Sequence, residues 1–143
     1  MAREAFRKTF QIEDLKIEKI GSWIISLRPQ QITLGSLVLS LDRKCPHLGE
    51  ITENEGKELS QAFKVVEELL EVSFKPNKIN YLALMMVDHQ VHFHVIPRYN
   101  DMRTFKEMEF KDKDWPKPPV LSNSINLTHD ELTSIKEFMS SAV

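Results

Sequence analysis

The chain has one cysteine, Cys45, so it has no internal disulfide framework and no multi-cysteine zinc site. It has four glycines, at 21, 35, 49 and 56, and neither GxGxxG nor GxxxxGK[ST] can be built from them. Dinucleotide binding of the Rossmann type and P-loop phosphate binding are thereby excluded. Neither charge sign is in excess: Lys+Arg is 19, Asp+Glu is 21 and the formal net charge is -2. A general nucleic-acid binder would carry a basic surplus. The longest run without a charge is residues 29–41, too short to span a bilayer. The opening MAREAFRKTF has no apolar stretch of the kind that drives secretion. The expectation is a cytoplasmic protein with no membrane and no nucleic-acid partner. A length of 143 residues fits one domain, 1–143, with its core over about 15–100 and a loop and helix over 101–143.

What is present reads as mixed secondary structure. Residues 1–14 are polar and mixed, with Phe6 and Phe10 one helical turn apart. Strands are expected over 16–20, 23–27 and 34–41, with Gly21 in the first turn. Thr52-Glu53-Asn54-Glu55 is a capping box, and Leu59, Phe63, Val66 and Leu70 follow on one helical face. Pro76 closes that region. Strands are expected again over 79–87 and 91–96, the second ended by Pro97. Residues 100–127 show no periodicity and contain Trp115-Pro116-Lys117-Pro118-Pro119, with Trp115 a candidate for an interface or a pocket rim. A second capping box, Thr128-His129-Asp130-Glu131, opens a final helix. The sum is an α+β domain with a five-stranded antiparallel sheet and two helices.

The chemistry lies in one strand. Side chains alternate across a strand, so Gln90, His92 and His94 share a face opposite apolar Val91, Phe93 and Val95. Three readings of that row stand side by side: two half-exposed histidines without a task, a metal site, or nucleophilic catalysis at phosphorus. A metal site needs a third ligand, and His89 points to the other face. Neutral imidazole is a good nucleophile near neutral pH, and a covalent phosphoramidate splits one hard displacement into two easier ones. The nonbridging oxygens then need fixed donors. A second histidine and a carboxamide on the same face would serve, and Arg98 just past the strand would add charge.

The run Gln90-Val91-His92-Phe93-His94-Val95-Ile96-Pro97-Arg98 closely resembles the signature of the histidine triad superfamily. Gly35-Ser36-Leu37-Val38-Leu39 and the helix after Thr52 resemble further parts of it, so residues 15–100 are covered. The resemblance implies a hydrolase or nucleotidyl transferase acting at the α-phosphate of a dinucleoside polyphosphate, such as a diadenosine polyphosphate, or of a nucleoside phosphoramidate. His92 would be the nucleophile and His94 a phosphate-contacting partner, with no catalytic metal and no cofactor. Asn80, in the strand before the signature, and Ser26 and Arg28, after the first long strand, would contact the nucleotide. A homodimer that extends the sheet is also implied. Three departures stand out: Gln90 replaces the first histidine, Ser36 stands where a histidine often follows the family's glycine, and Met85-Met86-Val87-Asp88-His89 replaces a Gly-Gln-x-Val stretch. Subgroups with such a glutamine carry a later Asp-Trp-Pro-x-Pro, which Asp114-Trp115-Pro116-Lys117-Pro118 resembles. The alternative reading is a nucleotide-binding or interaction protein that keeps the fold without the chemistry.

Overall fold

Thr52 opens the longest element. Its hydroxyl accepts from the Glu55 amide while the Glu55 carboxylate accepts from the Thr52 amide, and α3 runs from there over Glu53–Ser73. The same reciprocal cap at Thr128 and Glu131 opens α4, His129–Ser140. Each satisfies amides that a helix start leaves without partners. The structure, a computed structural model, describes residues 2–142. Two short helices precede the sheet: α1, Ala2–Thr9, and α2, Ile12–Leu15.

Five strands form one antiparallel sheet: β1 Lys16–Ile20, β2 Trp23–Leu27, β3 Leu37–Leu41, β4 Lys78–Leu82 and β5 His92–Arg98. Their order is β1-β2-β3-β5-β4, so β1 and β4 are the edges. The α+β class and the five-stranded antiparallel sheet agree with the sequence reading. The helix count does not, since the segment read as mixed and polar, and given no helix, holds α1 and α2. A polar stretch that short lacks the length to declare itself as a helix. It is ordered by burying Phe6, Phe10, Ile12 and Leu15 against the rest of the protein.

The strand expected over 79–87 ends at Leu82. Met85 has a left-handed backbone (φ 44°), which a strand does not accommodate. β5 runs past Ile96 to Arg98. Its pairing with β3 stops at Val95, so Pro97, lacking an N–H, lies where only β4 still pairs. The strand expected over 34–41 is shortened to Leu37–Leu41. Gly35 turns the chain there with φ +87°, and a Cβ at that position would sit 2.9 Å from the Phe74 ring. Within residues 100–127, β6 (Arg103–Phe105) and β7 (Met108–Phe110) form a separate hairpin.

Strand alternation gives the sheet two faces. Trp23, Ile25, Leu27, Leu37, Leu39 and Val95 face α3 and α4, packing on Ala62, Val66, Leu69, Leu70, Ile135 and Met139. Burial of such side chains is the main stabilising term, roughly 1.5–3 kcal/mol each. The other face presents Ile24 and Val38 to Phe6, Phe10 and Ile12. His92 and His94 lie on that second face. Among the described residues no helix is long and apolar enough to cross a membrane.

Candidate active site

Register brings the candidate residues together. Ser26 lies opposite Val38, Val38 opposite His94, and His94 opposite Leu82 on β4. The imidazoles of His92 and His94 meet edge to face, with centroids 4.8 Å apart and planes at 86°. Arg28, just beyond β2, reaches the same place, and its Nε donates to His94 Nδ1 at 3.3 Å.

These contacts set the tautomers. A carbonyl can only accept, so the 2.5 Å contact of His92 Nδ1 with the Gln90 carbonyl places a proton on Nδ1. His92 Nε2 is left with a free lone pair. A guanidinium can only donate, so Arg28 makes His94 Nδ1 the acceptor, and His94 Nε2 carries the proton. Two adjacent rings thus offer opposite groups, a nucleophile and a donor. Burial lowers the His92 pKa, and nearby Arg28 lowers it further, against the raising effects of the Gln90 carbonyl and the Asp88 charge. His94 is pushed down to about 3, first by burial and then by His92 and Arg28. Both rings are neutral near pH 7.

Arg28 is itself buried. Its Nη1 donates to the Gln30 carbonyl at 2.7 Å, its guanidinium lies 5.9 Å from the Phe10 ring centroid, and burial lowers its pKa. Among the described residues no carboxylate pairs with it. A buried cation without a counter-ion beside two neutral histidines suits an anion such as phosphate.

The remaining expected residues are placed differently. Gln90 was expected to offer its carboxamide to substrate. It is spent on the backbone instead: Nε2 donates to the carbonyls of Leu41 (2.8 Å) and Arg43 (2.6 Å), and Oε1 accepts from the Cys45 amide at 3.2 Å. Arg98 was expected to add charge for substrate. It is locked in a buried ion pair, with Nε at 2.7 Å and Nη2 at 3.2 Å from Asp112, and Nη2 also donates to the Lys117 carbonyl at 2.6 Å. Asn80 accepts from Arg98 Nη1 at 2.8 Å, so it belongs to this clamp. Ser26 is wholly buried on the histidine face and donates at 3.4 Å to the Val38 carbonyl. Ser36 bonds within its own turn, donating to the Thr33 carbonyl at 2.7 Å. Trp115 lines an open groove of about 590 Å³ against β4, together with Asn80, Leu82, Arg98 and Lys117. No group of three or more His, Cys, Asp or Glu among the described residues is placed to share a metal ion.

Sequence reasoning gave no site role to Phe6 and Phe10. Phe6 lies 4.8 Å from the His92 ring, and Phe10 lies 5.8 Å and 5.9 Å from the rings of His92 and His94. The available signal was their spacing of four within a polar segment, which puts both rings on one helical face.

No family model matches the chain, and no curated protein matches it in sequence. Solved structures do. A histidine triad protein from Sinorhizobium meliloti superposes with a TM-score of 0.75 at 20% identity, over 98% of this chain and 94% of that one. A histidine triad protein from Bradyrhizobium japonicum gives 0.68 at 23% identity, over 91% and 89%. A hypothetical histidine triad nucleotide-binding protein from Sulfolobus tokodaii gives 0.68 at 14%, over 90% and 82%. The chain has the histidine triad fold.

Proposed function

We propose that this protein is a nucleotide hydrolase or nucleotidyl transferase of the histidine triad superfamily, in a variant with Gln90 in place of the first histidine. The substrate is a dinucleoside polyphosphate or a nucleoside phosphoramidate. The observation that carries this reading is the pair of contacts at two adjacent imidazoles, His92 Nδ1 against the Gln90 carbonyl and His94 Nδ1 against the Arg28 guanidinium, which leaves a lone pair for His92 Nε2 and a proton for His94 Nε2.

His92 Nε2 attacks the α-phosphorus and forms a P–N bond. The bond from phosphorus to the leaving group breaks, and its electron pair departs with that group. His94 Nε2–H hydrogen-bonds to a nonbridging oxygen and keeps its proton, Arg28 supplies the positive charge facing the phosphate, and a departing amine takes its proton from solvent. The ring of the adduct is cationic, and its Nδ1–H remains bonded to the Gln90 carbonyl, which holds the ring in place. Water or an acceptor nucleophile then forms a bond to phosphorus and loses its proton to solvent, while the P–N bond breaks and its electron pair returns to His92 Nε2. Gln90 contributes through its backbone carbonyl and by tying the start of β5 to the chain after β3. The working unit is proposed to be a homodimer, which sedimentation at micromolar concentration tests.

The deciding experiment uses nucleoside phosphoramidates, adenylylated amines and dinucleoside polyphosphates as substrates. His92→Asn should lose turnover and keep its fold, and the native protein should yield a nucleotidyl adduct on His92 under non-acidic mass spectrometry. Turnover by His92→Asn equal to that of the native chain refutes the mechanism. A second reading, nucleotide binding without turnover, is favoured by one observation, the full commitment of the Gln90 carboxamide to backbone partners. Binding by both forms, with turnover by neither, would select it.

A further inference from the structure

The candidate nucleophile is closed off by the chain itself. His92 is 2% and His94 6% exposed. Both are covered by α1 and the residue that follows it: the Phe6 ring lies against His92, and the ring of Phe10, just past the end of α1, lies against both imidazoles. With His92 almost wholly buried, its imidazole has no open approach for a phosphate group while those rings are seated there.

Two features make α1 separable from the rest of the chain. Gln11, between α1 and α2, has a left-handed backbone (φ 51°, ψ 43°), which a non-glycine residue adopts at a cost. Beyond it, Ile12 and Leu15 of α2 are completely buried and hold the chain at that point. A helix of eight residues has little stability of its own, so α1 keeps its place only through its contacts. Apart from the two rings, these include Arg7, whose Nη1 lies 2.6 Å from Asp42 and whose Nη2 pairs with Glu13. Arg7 is part-exposed and lies outside the catalytic cluster.

We propose that α1 is a hinged cover of the histidine site, closed by Phe6 and Phe10 and latched by Arg7, which swings about Gln11 to admit substrate. This regulation rests on the nucleotide reading for its purpose, while the cover itself is a property of the fold. Apparent affinity for substrate is then the intrinsic affinity scaled by the open fraction, so a weakened latch raises it.

The test reads accessibility without turnover. Diethyl pyrocarbonate modifies exposed imidazole, and peptide mapping separates the sites. His47, with a side chain 76% exposed, is the internal reference. In the native chain His92 should react on the order of a hundredfold more slowly than His47, as expected of a site reached only by local opening. Arg7→Ala removes ion pairs of modest strength, so it should speed His92 about two- to tenfold and leave His47 unchanged. Phe10→Ala should speed it further. Hydrogen exchange of the native protein supplies a measurement free of mutations, in which amides of 5–10 should exchange well before those of β3. The proposal is overturned if native His92 reacts as fast as His47, if Arg7→Ala leaves His92 protection unchanged, or if residues 5–10 exchange only together with β3.

Titration with adenosine 5′-monophosphate separates this proposal from the functional one. If Arg7→Ala unmasks His92 and the nucleotide binds neither form, the cover stands and the nucleotide reading falls. If the nucleotide binds both forms equally and Arg7→Ala leaves His92 protection unchanged, the nucleotide reading stands and the cover falls.

Discussion

Removing the Asp112 carboxylate is the most demanding test of how the region beyond β5 is held. Asp112 accepts from Arg98 Nε at 2.7 Å and Nη2 at 3.2 Å, and also from the amides of Tyr99 (3.2 Å) and Asp114 (3.3 Å). The two side chains are 4% and 2% exposed, so water cannot replace either partner. Breaking such a pair from one side costs about 3–5 kcal/mol, because the remaining charge stays buried. Arg98 keeps Asn80 and the Lys117 carbonyl as acceptors, which puts Asp112→Ala near the lower end. At roughly 2–4 °C per kcal/mol for a chain of this size, a loss of about 3 kcal/mol lowers Tm by roughly 6–12 °C. The assay is thermal and urea unfolding followed by circular dichroism, with Asp101→Ala as the control. Asp101 pairs with Arg103 at 3.0 Å but is 66% exposed, and its loss should cost less than about 1 kcal/mol. Equal effects of the two substitutions would refute the argument, since Asp112 differs from Asp101 both in burial and in the number of donors it accepts from, and each difference makes its loss the costlier one. The same result would release Arg98 from an internal role and return it to the candidates for substrate contact.

Three other outcomes are set by the geometry. Gln90→Ala leaves the carbonyls of Leu41 and Arg43 and the amide of Cys45 without their side-chain partner, so stability should fall by about 2–3 kcal/mol in urea unfolding; an unchanged midpoint refutes the backbone role. His94, held down to about 3 by burial first and by His92 and Arg28 beside it, should show no NMR titration near pH 6.5. Its unfolded form binds a proton below about 6.5 and its folded form does not, so stability should decline as pH falls through that window toward 3, and His94→Asn should flatten the decline. The Glu55 carboxyl, bonded first to Arg43 and also to Thr52, lies at about 2 against 4.5 for the free group. Its stabilising contribution is complete above pH 4.5 and is lost as pH falls toward 2, so Glu55→Gln should reduce the acid sensitivity of the native chain in that range.

The sequence by itself determined the elements whose causes are local. Thr52 and Glu55, or Thr128 and Glu131, lie within one turn, so their caps can be read from spacing alone. Alternation along 90–95 likewise set the histidines on one face and Val91, Phe93 and Val95 on the other, because a strand repeats every two residues. The extra helices and the 103–110 hairpin were not legible, since short polar segments carry little periodic signal. Tertiary structure alone decided what the candidate site residues do. Gln90 lies in a bend just before β5, and its amide is consumed by backbone groups more than 40 positions away in sequence. Arg98 and Asn80 look free in the sequence and are claimed by Asp112 and by each other. Arg28 meets His94 across 66 positions, and Phe6 and Phe10 reach the imidazoles from the far end of the chain. Hydrogen bonds and ring contacts between distant segments depend on where the sheet register and chain crossings put each side chain, and no local pattern encodes that position.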